Sequence, residues 1–171
     1  MSSTISKVNF ELVSDNLPVV KRDVSLADQN LAVPSNPVAL TDGEWCTLDA
    51  NGKLIRVTDI TNLSAIGALK AFPVWFELGR YDRQAMSRKA TTVLYLGSYE
   101  AETRVYDSAV GTPITTALQW LKVRTIAIGT RNFSGLVGHG GSGDTDPVVG
   151  YVTKLPAANG GKLRFISGGR L

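Results

Sequence analysis

What most constrains the fold of this chain is a period of two. Val8, Phe10 and Leu12 alternate with Asn9 and Glu11; Phe72, Val74, Phe76 and Leu78 alternate with Pro73, Trp75 and Glu77; Leu121, Val123 and Thr125 alternate with Lys122 and Arg124. Successive side chains of a strand point to opposite faces, so alternation of this kind marks strands with one buried and one wet face. Further strand-like runs cover 133–137, 148–155 and 162–166. About nine or ten such runs return at ten-residue spacing, and hardly any segment has the 3.6-residue period of a helix. The exception is NLSAIGALKA at 62–71, where Asn62 or Ser64 can cap one or two helical turns that Gly67 weakens. The pattern predicts an all-β fold, a single β-barrel or sandwich-like domain of short antiparallel strands.

The turn residues sharpen that expectation. In DGEWCTLDANGKLIRV (42–57) two strand-like runs flank Ala50-Asn51-Gly52, and Asn-Gly supplies the positive φ that a tight hairpin needs. A second hairpin is expected from 92–97 and 101–106, and the last two strands are joined by PAANGG at 156–161. Pro73 places its strand near an edge or bulge. The continuously apolar Ile126-Ala127-Ile128 after an alternating run suggests a bulge near that point. Trp45, Trp75 and Trp120 fall on these strands, where core packing is the default role, and Cys46 then faces away from Trp45 as a small buried hydrophobe.

From Ser14 to Pro37 the alternation breaks up, with prolines at 18, 34 and 37. This suggests two parts: an extended N-terminal arm with a short strand over 1–37, and a β-rich globular domain over 38–171. The arm carries Phe10, Leu12, Leu17, Val19, Val20, Leu26, Leu31 and Val33, too many apolar residues for free coil. Such an arm either lies on a neighbouring subunit or folds back on its own domain. On the first reading, deletion of residues 1–36 leaves a folded core.

Composition narrows the chemistry. The net charge is +3 in 171 residues, with both signs interspersed, which is small for a protein whose main partner is a phosphate backbone. Cys46 is the only cysteine, so neither an intramolecular disulfide nor a Cys-cluster zinc site is available. The start MSSTISKVNFELV has no secretory h-region, and no window reaches the roughly 18 apolar residues of a membrane span. A chain folded in a cytoplasm is expected.

Two segments invite a functional reading. GHGGSG (138–143) fits G-x-G-x-x-G letter for letter and holds the only histidine, His139. A dinucleotide turn, however, needs a helix whose N-terminus faces the pyrophosphate, and here Asp144-Thr145-Asp146-Pro147 and a strand follow. A hydrolase reading lacks a nucleophile elbow. A calcium-repeat reading fails by one register, although Asp144 and Asp146 retain some capacity for a cation. What remains is a mobile loop with His139 exposed. The other segment, 79–90, gathers Arg80, Arg83, Arg88 and Lys89 around Tyr81; it is a basic contact loop on a nucleic-acid reading and a solvated or salt-bridged loop otherwise. No catalytic constellation, cofactor site or metal site is predicted.

The segments NPVALTDGEWCTLDANGKLIRV, AFPVWFELGRYDRQAMSRKATTVLYLGSYEAETRVYD, DPVVGYVTKLP and GKLRFIS follow one another in an order that resembles the capsid decoration (cement) proteins of tailed bacteriophages. The resemblance spans residues 36–167. It implies a structural, non-enzymatic virion protein, assembled in the host cytoplasm, that binds the outer surface of the phage head and stabilises the capsid. It implies a homotrimer with the major capsid protein as partner, an N-terminal arm contributing to docking, no direct DNA contact and no membrane. A tail-tube or baseplate component is the alternative within the same class. A single-stranded nucleic-acid-binding β-barrel is the alternative outside it.

Overall fold

The computed structural model describes residues 10–15, 20–32, 39–57, 72–73, 90–96, 98–107, 114–128, 131–146, 148–158 and 161–167. In chain order the strands are β1 (Phe10–Asp15), β2 (Val20–Ser25), β3 (Trp45–Leu48), β4 (Leu54–Arg56), β5 (Phe72–Pro73), β6 (Ala90–Leu96), β7 (Tyr99–Thr103), β8 (Trp120–Ile128), β9 (Arg131–Gly138), β10 (Gly150–Lys154) and β11 (Leu163–Ser167), with a 3-10 turn at Gln29–Ala32. The fold is all-β. A six-stranded sheet runs β1-β7-β11-β10-β8-β9, a three-stranded sheet runs β4-β3-β5, and β2 pairs with β6. Each of these ladders is antiparallel. The large sheet does not close into a barrel, but it curls enough for the chain just past β7 to reach β9. There the Leu136 N–H donates to the Val105 carbonyl at 3.0 Å and the Asp107 N–H to the Leu136 carbonyl at 2.8 Å.

The period of two is realised most cleanly in β7. Tyr99, Ala101 and Thr103 are buried while Glu100 and Glu102 point outward. The same inner face carries Phe10, Leu121, Val123, Val152, Leu163 and Phe165, and Trp45 reaches this cluster from β3. Phe165 is central, its ring centroid 6.3 Å from that of Phe10, 6.4 Å from Tyr99 and 6.2 Å from Trp45. Each of these buried aromatic side chains contributes about 2–3 kcal/mol of transfer free energy. A second cluster joins Val24, Leu26, Leu31, Leu40, Cys46 and Leu54. Trp45 and Cys46, adjacent in β3, thus face different clusters, and Cys46 is the small buried hydrophobe expected of it.

Two hairpins expected from the turn residues form. β3 pairs β4 around Gly52, whose φ is +73°, and β10 pairs β11. The expected 92–97/101–106 hairpin does not. β6 pairs β2, while β7 has both edges taken, by β1 and β11. Consecutive in sequence, β6 and β7 therefore belong to different sheets. The expected bulge near Ile126 is also absent from the β8–β9 ladder, which stays in register from Leu121↔Gly138 to Ile128↔Arg131. Ile126 is buried for a different reason: it packs with Val105, Phe133 and Val137, a third cluster separate from the central one.

The N-terminal segment corrects the arm reading for the residues that are described. Phe10 is 1% exposed in the central cluster and Leu12 packs against it; Leu26 and Leu31 belong to the second cluster. Over 10–15 and 20–32 the chain folds back on its own domain. Once Phe10 lies among Tyr99 and Phe165, it is no longer available to a neighbouring surface. Val20 contributes its backbone to β2, and Leu17, Val19 and Val33 lie outside the described residues, as does the 62–71 segment expected to make helical turns.

Candidate functional site

The loop after β9 is built from short-range polar geometry. The Asp144 carboxylate accepts from the Gly140 N–H at 2.7 Å and, through its other oxygen, from the Asp146 N–H at 3.1 Å. β8 supplies the counter-charges. Its outward residues Lys122 and Arg124 reach across, Lys122 Nζ to Asp144 at 2.5 Å and to Asp146 at 2.9 Å, and Arg124 to Asp146 at 2.5 Å. Burial works against the charge on Asp144, but the Lys122 hydrogen bond and the two backbone N–H groups outweigh it and hold the carboxyl well below its ordinary range. Burial likewise opposes the Lys122 charge, and the two carboxylates outweigh it and push the ammonium pKa up.

His139 is the hinge pin of this loop. Its Nδ1 accepts from the Gly141 N–H at 3.2 Å and its Nε2 lies 3.1 Å from the Asp146 carbonyl. Those two contacts are satisfied together by the neutral tautomer with the proton on Nε2. Its side chain is 5% exposed, so the expectation of an exposed His139 is corrected, and the loop's carboxylates are tied to β8 through Lys122 and Arg124. The loop leads on to β10, and its two carboxylates are ion-paired with Lys122 and Arg124 of the same chain. Among the described residues, no three or more His, Cys, Asp or Glu side chains converge as metal ligands would.

Beside the loop lies an exposed apolar pair. Leu118 is 69% exposed and Trp120 58% exposed, on the turn that enters β8. Leu118 has φ of +64°, and among the described residues it alone, glycines aside, has positive φ. Leucine pays roughly 1–2 kcal/mol for that conformation. The turn tolerates it because its backbone is over-determined. The Leu118 N–H donates to the Val152 carbonyl at 2.7 Å, the Val152 N–H to the Gln119 carbonyl at 2.9 Å, and the His139 N–H to the Trp120 carbonyl at 2.8 Å. The Gln119 side chain accepts from the Thr115 N–H at 3.0 Å. The Trp120 ring meets His139 edge-on, with centroids 6.0 Å apart.

Trp120 therefore departs from the core role expected of it, and the sequence contained the signal. Trp120, Lys122 and Arg124 are two apart on one strand, so the alternation that buries Leu121 and Val123 puts the tryptophan on the charged face. Nothing in the sequence marked Leu118, whose exposure follows from a turn fixed by contacts to β10. The basic contact residues Arg80, Arg83, Arg88 and Lys89 lie outside the described residues, as does Trp75.

No protein-family model, no curated protein and no solved structure matches the chain.

Proposed function

We propose that the chain is a structural protein of a tailed-phage virion, a capsid decoration protein that binds the outside of the head as a homotrimer and stabilises it. The observation that carries the reading is the order of segments: the DGEWCTLDANGKLIRV hairpin, here β3–β4, precedes a β-domain that ends in the DPVVGYVTK strand paired with GKLRF, here β10–β11. This is the arrangement that resembles the decoration proteins. Many copies engaged at once make a modest interface per copy sufficient.

The test is image reconstruction of purified particles of the phage whose genome carries this sequence, with an antibody against the chain to locate it. Density for the chain on the outer face of the head at local symmetry axes is the expected result. Density in the tail or baseplate transfers the reading to that structure, and absence from the particle overturns it.

A further inference from the structure

We infer that Asn51 is a site of spontaneous covalent modification, where the side-chain amide is converted to a carboxylate through a cyclic imide closed by the Gly52 nitrogen, and that opening of the β3–β4 turn sets the rate. The chain has two Asn-Gly pairs, 51–52 and 159–160, the second lying outside the described residues. Every other asparagine is followed by a residue whose side chain crowds its own backbone nitrogen. At the β3–β4 turn both residues are exposed, and a Cβ on Gly52 would meet nothing within 4 Å. Neither the attacking nitrogen nor the ring it closes is obstructed.

The reaction balances with water as the only co-reactant. The Gly52 nitrogen bonds to the side-chain carbonyl carbon of Asn51, its proton leaves with the amide nitrogen as ammonia, and a five-membered imide joins the two residues. Water then opens the imide at one of its two carbonyls. Opening at the side-chain carbonyl restores the main chain with aspartate at this position. Opening at the main-chain carbonyl leaves the backbone running through the former side chain as isoaspartate, longer by a methylene.

In the closed turn the attacking nitrogen is occupied. Ala50–Gly52 is a three-residue loop with Gly52 at φ +73°. The Gly52 N–H donates to the Asp49 carbonyl at 3.0 Å, and the Asp49 carboxylate accepts from the Asn51 and Lys53 N–H groups, each at 2.8 Å. Attack requires the Gly52 nitrogen to leave the Asp49 carbonyl, so conversion proceeds from the open turn and its rate follows the open population. The lengthened backbone of isoaspartate does not fit a loop that sets Leu48 opposite Leu54 and Cys46 opposite Arg56. Cys46 and Leu54 are fully buried in the second cluster, and Arg56 holds the buried Glu44. A change at an exposed tip thereby reaches the interior.

The experiment incubates the purified full-length chain at mildly alkaline pH, folded and in urea, and follows it by tryptic mapping with fragmentation that separates aspartate from isoaspartate. Asn51 and Asn159 fall in different peptides. Both products are expected at Asn51, formed about tenfold faster in urea than in the folded chain. Asp49→Ala is expected to speed conversion of the folded chain about tenfold, and Asp49→Asn, which keeps an acceptor oxygen, to stay near wild type. Gly52→Ala, compared in urea where turn strain is absent, is expected to slow it. Chain enriched in isoaspartate is expected to melt below Asn51→Asp, which stands for the other product. Asn51 remaining intact while Asn159 converts overturns the site. Equal rates in the folded chain and in urea, or no acceleration in Asp49→Ala, overturn the turn as the gate. Isoaspartate chain that melts with Asn51→Asp overturns the coupling to the interior.

Discussion

Glu44 shows how much one residue holds together. Its carboxylate is fully buried and bonded to Arg56 Nε at 2.6 Å, to the Thr41 N–H at 3.0 Å and, from β9, to the Ser134 N–H at 3.3 Å. Arg56 and Arg131 both donate to the Ala39 carbonyl, so the small sheet and β9 meet at one polar junction. Removing one partner of a buried pair leaves the other uncompensated. Glu44→Gln is expected to lower stability by about 3–5 kcal/mol, read from the shift of the urea midpoint. Asp144 gives a prediction in pH. Its folded-state pKa is depressed below the ordinary 3.8, so its stabilising contribution is fully present above that value and disappears as pH falls through the folded pKa. Asp144→Asn is expected to be less stable than wild type at neutral pH, with the gap closing on acidification below 3.8. A gap that stays constant down that range would show that the Lys122 pair contributes no linkage.

Turns and strands set the next scale. Gly43 sits at φ +82° in the turn before β3, where the Glu44 N–H donates to the Thr41 carbonyl, and a Cβ there would lie 2.9 Å from Phe10 Cβ. Gly52 has a similar φ of +73° but open space around it. The pair separates backbone strain from crowding. Gly52→Ala is expected to cost about 1 kcal/mol. Gly43→Ala is expected to cost several-fold more, because Phe10 cannot retreat from the central cluster; equal costs in denaturant melts would show that the core yields. The β3–β4 hairpin was legible because Asn51-Gly52 and its flanking alternation are local signals. The separation of β6 from β7 was not, because both edges of β7 are occupied by strands far away in sequence and β6 pairs with β2. The Gly138–Asp146 loop was legible only in what it excludes, since its rigidity comes from Lys122 and Arg124 on β8.

At the scale of the whole molecule the N-terminal segment is structural. β1 lies against β7, with the Phe10 N–H donated to the buried Asp42 carboxylate at 3.0 Å, and β2 lies against β6. Deleting residues 1–36 removes Phe10 from the central cluster and Val24, Leu26 and Leu31 from the second. The truncated chain is expected to lose cooperative unfolding, measured by near-ultraviolet circular dichroism during thermal denaturation, where an arm lying elsewhere would leave a folded core. Phe10→Ala alone is expected to cost about 3–5 kcal/mol.

By itself the sequence determined the all-β class, the two hairpins, the inward faces of β7 and of Leu121 and Val123 in β8, and the burial of Trp45 and Cys46. These depend on a residue and its near neighbours, through alternation and turn chemistry. Only the tertiary structure decided that Phe10, Val24, Leu26 and Leu31 fill this chain's own core, that the glycine-rich loop is clamped, and that Leu118 and Trp120 stand out in solvent. Each of those outcomes depends on which distant strand arrives alongside, because hydrophobic burial is non-directional and ion pairs form with whatever charge the fold brings within reach.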